Sequence, residues 1–105
     1  MAEVPGKIKS IINNYILSLA KNNIHIKDAY LFGSYAKGEN NEWSDIDIAI
    51  VSDSFEGTRI KDKDKIRKIT LSVSSSLEVI PFSPNDFSLD NPLAKEIIET
   101  GIRLV

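Results

Sequence analysis

Apolar residues recur at helical spacing near the start of the chain. From Lys7 to Ala20 they fall three or four positions apart, which predicts an amphipathic helix that packs one face against a core. Asn22 and Asn23 end this pattern. The predicted stripe consists of Ile8, Ile11, Ile12, Tyr15, Ile16, Leu19 and Ala20.

Three short apolar runs further along predict strands. They are Ala29–Phe32, the run from Asp45 to Val51, and Leu77–Ile80. In the second run isoleucines alternate with other residues, and both faces become apolar after Asp47. A strand of this kind is typical of a sheet covered on both sides, so we expect an α/β fold.

A long helix is predicted between the second and third strands. It covers Thr58–Ser76, and its first half alternates basic and acidic residues, as solvated helix surfaces usually do. The alternative is that some of these bases attract a triphosphate or an acidic partner. The residues expected to face inward are Ile60, Ile66, Ile69 and Val73.

The end of the chain predicts a stiff segment followed by a last helix. Pro81–Pro84 is expected to be a rigid, extended exit from the third strand. Asp90 or Asn91 is expected to cap the last helix, with Pro92 near its first position. Gly101 is expected to stop it, and the inward residues are Leu93, Ile97 and Ile98.

Length and composition restrict the class of protein. The 105 residues predict one domain, 1–105, without room for a second. The net charge of −2 lacks the basic excess of a general DNA or RNA binder. The chain has no cysteine, no apolar run long enough to cross a membrane and no signal-peptide pattern, so we expect a cytoplasmic protein.

Two carboxylates open the second predicted strand. Asp45 and Asp47 are two positions apart, so in a strand both project from one face. Carboxylate oxygens are ligands for hard cations, and the pair therefore predicts a metal site at one end of a buried strand.

The end of the first predicted strand has the features of an anion site. Glycine at position 33 permits close approach of a ligand to the backbone. Ser34 is expected to be the N-cap of a short helix that Gly38 ends, and a helix N-terminus favours phosphate oxygens. Lys37 adds a positive charge. We expect Gly33, Ser34 and Lys37 to bind nucleotide phosphates.

These residues resemble the minimal nucleotidyltransferases of the DNA polymerase beta superfamily. Their signature is Gly-Ser, ten residues and then Asp-x-Asp, and Gly33-Ser34 and Asp45-x-Asp47 match it without a gap. The resemblance covers nearly the whole chain and implies the small nucleotidyltransferase fold, a mixed central β-sheet flanked by α-helices.

The resemblance also implies the site and its chemistry. The family uses a third acid on a later strand, and Glu78 is the carboxylate in the downstream apolar run. The alternative is that Glu78 is a solvent-exposed residue of an edge strand. Asp45, Asp47 and Glu78 are thus the expected catalytic and metal-binding residues, holding two Mg²⁺ ions, with ATP as the substrate. The implied reaction is transfer of a nucleoside monophosphate, AMP from ATP, to a hydroxyl group.

Relatives of this size pair with a HEPN-type helical protein, so the resemblance implies an antitoxin that transfers AMP to a tyrosine of its toxin partner. A partner chain or a second copy is expected to complete the site. Two alternatives remain: a binding protein that neutralises its partner by contact without activity, and an enzyme that acts on a small molecule such as an aminoglycoside.

Two isolated side chains are given structural interpretations. His25, the single histidine, is expected to be a surface or hydrogen-bonded residue and not a catalytic base. Trp43 is expected to pin the loop before the acidic strand to the domain, and the alternative is that it stacks on a nucleobase.

Overall fold

Helices and strands alternate along the chain, as expected of an α/β fold. The computed structural model describes residues 4–41 and 43–105. The elements in these residues are α1 (Gly6–Lys21), β1 (Ile26–Phe32), α2 (Ser34–Lys37), β2 (Ile46–Ser52), α3 (Arg59–Val73), β3 (Leu77–Phe82), α4 (Pro92–Thr100) and β4 (Ile102–Arg103). Each helix and strand predicted from the sequence is present, with ends that differ by a few residues.

The strands of the described residues form one mixed sheet in the order β3-β2-β1-β4. β1 pairs antiparallel with both β2 and β4, whereas β2 and β3 are parallel. A parallel pair requires a long crossover connection, and α3 lies in that connection. The expected mixed central sheet flanked by helices is confirmed.

Helices cover both faces of the sheet, and β2 is apolar on each side. Ile46, Ile48 and Ile50 pack on one side with residues of α1 and α3. Ala49 and Val51 pack on the other side with residues of α4. The central strand is therefore buried along most of its length, and polar groups remain only at its ends.

One residue of α3 does not face inward as predicted. Ile60 is 76% exposed, whereas Ile66 is buried. Ile60 precedes Ile66 by six positions, which places it about a third of a turn away from the buried stripe. Asp62, four positions before Ile66, takes the inward place in the first turn and is 1% exposed. The prediction for Ile60 is therefore wrong.

The carboxylate of Asp62 is buried because it ties the β2–α3 loop to the helix. Its Oδ1 accepts the Glu56 N–H at 2.9 Å and its Oδ2 accepts the Gly57 N–H at 3.0 Å. Two hydrogen bonds to backbone donors offset the cost of removing the carboxylate from water.

Pro81 lies inside β3, and not in an extended exit after it, so this prediction is also wrong. The Ile46 N–H donates to the Ser76 carbonyl at 2.9 Å, so this carbonyl points toward β2. In a strand alternate residues turn their backbone groups to opposite sides, and position 81 is an odd number of residues after position 76. Position 81 therefore faces the open edge of the sheet. Proline costs no ladder hydrogen bond there.

The end of the chain forms α4 and the short strand β4. Asn91 caps α4, since its Oδ1 accepts the N–H groups of Leu93 and Ala94 at 3.0 and 3.2 Å. Ile97 is buried, while Leu93 and Ile98 are only half-buried. After Gly101 the chain forms β4, a strand that the sequence did not predict, which pairs with Tyr30 and Leu31 near the C-terminal end of β1.

The predicted role of Trp43 is wrong and that of His25 is confirmed. Trp43 is 82% exposed, so it does not pin its loop. Asn41 orders the loop instead: its Oδ1 accepts the Trp43 N–H, and its own N–H donates to Ser44 Oγ, both at 2.9 Å. His25 is exposed, with Nδ1 3.4 Å from Asp53 Oδ1. Within residues 4–41 and 43–105, none of the helices has the length and apolar character of a membrane span.

Candidate active site

Gly33 forms the corner between β1 and α2. Its φ of 72° and ψ of −150° lie in a region that side chains other than glycine rarely adopt. A Cβ atom here would overlap Oδ2 of Asp47 and would lie 3.0 Å from Asp47 Cγ. Glycine is thus required both by its dihedral angles and by the carboxylate beside it.

The N-cap of the short helix α2 is one residue earlier than the sequence predicted. Gly33 is the N-cap, and Ser34 is the first helical residue without a capping hydrogen bond from its side chain, so the N-cap prediction for Ser34 is wrong. Gly38 ends the helix in the left-handed conformation, as predicted. Lys37 is exposed in the last turn. Such a short helix has N–H groups in its first turn without intrahelical acceptors.

The pairing of β1 with β2 brings the aspartates to this corner. Phe32, the last residue of β1, lies opposite Asp47, so the chain enters Gly33 beside the Asp47 carboxylate. Asp45 lies just before β2 and is exposed, while Asp47 is half-buried. The two motif halves, ten residues apart in sequence, are therefore adjacent in space.

The parallel pairing of β2 with β3 brings the third acid close. Glu78 is the register partner of Asp47, and partners in neighbouring strands project from the same face of the sheet. Glu78 is on an edge strand and is exposed. The sequence-predicted acid is thus beside Asp47, in contact with solvent.

The electrostatic surroundings of Asp47 include both of the other acids. Burial raises the pKa of Asp47 above its ordinary value, and the negative charges of Asp45 and Glu78 raise it further. Concentrated negative charge of this kind favours a bound cation, because a cation relieves the mutual repulsion.

Asp45, Asp47 and Glu78 have the carboxylate oxygens that a divalent metal ion prefers, but as they lie they do not form a closed set of ligands. The described residues contain no group of three acidic or histidine side chains arranged as metal ligands. Glu78 Oε1 instead lies 3.3 Å from Lys63 Nζ. One of the three expected ligands, Glu78, is therefore engaged by a lysine.

Lys63 contacts one of the three acids, and the sequence alone did not single it out. It belongs to the charged first half of α3, which was interpreted mainly as solvated surface. Its contact with Glu78 spans fifteen positions and depends on how α3 crosses to the edge strand. No local sequence pattern distinguishes Lys63 from its basic neighbours.

Comparisons with known proteins agree with this geometry. The family model described as the nucleotidyltransferase domain matches residues 10–105. A protein of Methanocaldococcus jannaschii named as a candidate protein adenylyltransferase, MJ1215, is 46% identical over 45 residues, which are 43% of this chain and 51% of that protein. The match thus spans about half the length of that relative.

Solved structures show the same fold. Two are toxin–antitoxin complexes, at 26% and 27% identity and a TM-score of 0.61 for each. They cover 90% and 88% of this chain, which spans 71% of the matched chain in both cases. The first is an MntA-HpeT mutant, and the second contains AMP-PNP.

A third structure, of a candidate nucleotidyltransferase from Sulfolobus solfataricus, covers 98% of this chain and 89% of its own at 18% identity, with a TM-score of 0.58. At that identity it supports the fold alone. The family model covers nearly the whole chain and includes Gly33-Ser34 and Asp45-x-Asp47. The chain therefore belongs to the nucleotidyltransferase domain family.

Proposed function

We propose that this protein transfers AMP from ATP to a hydroxyl group of a protein partner, and that the partner is a helical, HEPN-type toxin which the transfer neutralises. The acceptor in this proposal is a tyrosine hydroxyl. The protein would thus act as the antitoxin of the pair.

The observation that carries the proposal is the contact between Gly33 and Asp47. This contact supports the proposal because a glycine corner permits close approach of phosphate oxygens, and the carboxylate beside it is of the kind that binds cations. A nucleoside triphosphate needs both kinds of group, one for its own oxygens and one for the metal ions that accompany it.

In the proposed reaction the acceptor oxygen attacks the α-phosphorus of ATP. A bond forms between that oxygen and the phosphorus, the bond from the α-phosphorus to the bridging oxygen breaks, and pyrophosphate leaves. Glu78 takes the proton that the hydroxyl loses. Gly33, Ser34 and Lys37 hold the β- and γ-phosphates in line for departure, so that much of the rate comes from positioning.

Asp45 and Asp47 would hold two Mg²⁺ ions, which acidify the acceptor hydroxyl and neutralise charge on the phosphates when bound. Glu78 would contact only the ion nearest the acceptor. The raised pKa of Asp47 and its causes support this assignment, since carboxylates crowded together without a cation repel one another.

The comparisons support the adenylyl group and the partner. One relative is named as a candidate protein adenylyltransferase, and one structural neighbour was solved with the ATP analogue AMP-PNP. Both toxin–antitoxin neighbours are complexes, and one is described as a mutant in which a tyrosine is replaced by alanine.

The test is label transfer to the copurified partner. The protein and partner are incubated with Mg²⁺ and ATP labelled at either the α- or the γ-phosphorus, and mass spectrometry locates any added AMP. Label from the α-position alone, on a tyrosine, is expected. Label from the γ-position would indicate a kinase and contradict the proposal.

Two variants complete the test. Asp47→Ala should abolish both transfer and neutralisation, whereas Asp53→Ala, an exposed aspartate at the far end of β2, should retain both. Full neutralisation by Asp47→Ala would favour the alternative in which the protein acts by contact. Label on an added aminoglycoside, and none on the partner, would favour a small-molecule acceptor.

A further inference from the structure

Lys63 contacts the acidic site from the helix that crosses to the edge strand. Its Nζ lies 3.3 Å from Glu78 Oε1. The ion pairs of the other described residues lie elsewhere: His25 with Asp53, Arg67 with Asp64, and Arg103 with Asp28. Among the side chains that the structure describes, which leave out that of Arg59, Lys63 is thus the cation paired with one of the three acids.

The pairing with Lys63 affects whether Glu78 can approach Asp47. Glu78 is the register partner of Asp47 and shares its face of the sheet, so rotation about side-chain bonds alone could bring its carboxylate toward Asp47. The described residues nevertheless show no three-acid ligand group. The carboxylate of Glu78 is paired with Lys63 instead.

The ion pair is weak enough to open. The side chains of Lys63 and Glu78 are 41% and 54% exposed, and exposed pairs contribute little to stability because water screens them. A divalent cation between Asp45 and Asp47 would compete with the single charge of Lys63 for the Glu78 carboxylate.

We infer that Lys63 is a positioning residue that acts through Glu78, holding its carboxylate at the open edge of β3 until metal binding draws it to Asp45 and Asp47. The inference rests on the proposed function, since it assumes that these aspartates bind a divalent ion. The inference adds a resting state to the proposed function. In that state Lys63 keeps Glu78 from acting as the third metal ligand, so the part of the site that receives the acceptor hydroxyl is incomplete.

The experiment measures Mn²⁺ binding by the loss of the free-ion EPR signal, with and without ATP. Lys63→Met should bind Mn²⁺ about two- to fivefold more tightly than the wild type, the range expected when an exposed ion pair no longer competes. Lys68→Met is the matched control. Lys68 loses the same charge from the same helix and has no ion pair with a described residue.

A double-mutant comparison isolates the pair. In a Glu78→Gln background, Lys63→Met should no longer change Mn²⁺ affinity, because the carboxylate on which Lys63 acts is gone. Equal effects of Lys63→Met and Lys68→Met would overturn the inference and show only a general effect of charge. The same tightening in the Glu78→Gln background would overturn it as well.

A readout that does not depend on enzymatic activity gives a second check. Urea unfolding of the four proteins of the cycle should show coupling between Lys63 and Glu78 in EDTA, and Mn²⁺ should remove that coupling. Coupling that persists in saturating Mn²⁺ would overturn the inference alone. If neither the wild type nor Lys63→Met takes up Mn²⁺ with ATP present, the metal assignment of the proposed function fails and the inference fails with it.

Discussion

Gly33 lies directly against the carboxylate of Asp47, with no room for a Cβ atom between them. This contact joins the two halves of the sequence motif, because β1 ends at the residue opposite Asp47 and the chain then turns at Gly33. The corner and the carboxylate therefore depend on each other's position. Four predictions follow from this site and from the packing that supports it.

Gly33→Ala should impair both folding and function. The added methyl group must displace the Asp47 carboxylate, and the backbone must keep a φ that alanine disfavours at a cost of about 1–3 kcal/mol. A shift of the carboxylate by roughly 1 Å is expected to lower AMP transfer by about a hundredfold. Urea unfolding and initial transfer rates measure the two effects.

Gly38→Ala serves as the matched control for Gly33→Ala. Gly38 has the same φ of 72° but lies at the opposite end of α2 from Gly33. We expect it to lose stability with a much smaller change in transfer. Equal losses of activity in the two variants would mean that backbone strain, and not the position of Asp47, decides the rate.

Asp47→Asn should stabilise the metal-free protein at neutral pH. The pKa of Asp47 in the folded state is raised above the ordinary value of 3.8, first by burial and then by Asp45 and Glu78. A raised folded-state pKa contributes stability below the ordinary pKa, and this contribution is lost as the pH rises through the folded-state value. At neutral pH the ionised carboxylate is therefore a cost that asparagine removes.

The measurement is urea unfolding of the wild type and Asp47→Asn in EDTA, from about pH 4 to neutral pH. The advantage of the variant should grow as the pH rises, and added Mg²⁺ with ATP should stabilise only the wild type. Asp53→Asn, at an exposed aspartate, is the control. A variant less stable than the wild type at neutral pH would contradict the electrostatic account.

Asp62→Ala should destabilise the fold strongly although the residue lies in a run of surface charges. The substitution removes two hydrogen bonds and leaves the N–H groups of Glu56 and Gly57 without their acceptor, at a cost of about 2–4 kcal/mol. Asp64→Ala on the same helix breaks only an exposed ion pair with Arg67 and should cost below about 0.5 kcal/mol. Urea unfolding compares them, and similar costs would contradict the role given to Asp62.

Tyr15 should make the protein sensitive to alkali. Its side chain is fully buried and bonds to Thr70 Oγ1 at 2.7 Å, and burial raises the pKa of the phenol to about 12. The contribution of Tyr15 to the free energy of unfolding is complete below its ordinary pKa of 10.0. This contribution is lost between that pH and about 12, because the unfolded state releases the phenol proton first. The loss amounts to about 2–3 kcal/mol.

Tyr15→Phe removes the titrating group and should flatten this part of the stability profile. At neutral pH it should cost about 1 kcal/mol through the lost hydrogen bond to Thr70. Urea unfolding between neutral pH and about pH 12 compares the variant with the wild type. An unchanged alkaline loss in the variant would mean that another group causes it.

The periodicity of the chain was sufficient for most of the elements. The apolar stripe of α1, the alternation in β2 and the Asn91-Pro92 start of α4 each depend on neighbours in sequence, and each was predicted correctly. The elements that the sequence did not predict correctly depend on contacts with residues distant in sequence. β4 forms because β1 offers it a free edge, and Pro81 can be in a strand because that strand is at the edge of the sheet.

Residue types and their spacing, by themselves, determined which side chains are the candidates for the chemistry: a glycine-serine corner and two aspartates that a strand must project together. Only the tertiary structure decided the positions of those side chains relative to one another. The antiparallel register set Asp47 against Gly33, and the crossover of α3 set Lys63 beside Glu78. Sequence spacing fixes directions within one element, whereas contacts between elements depend on strand register and helix packing, which the whole core determines.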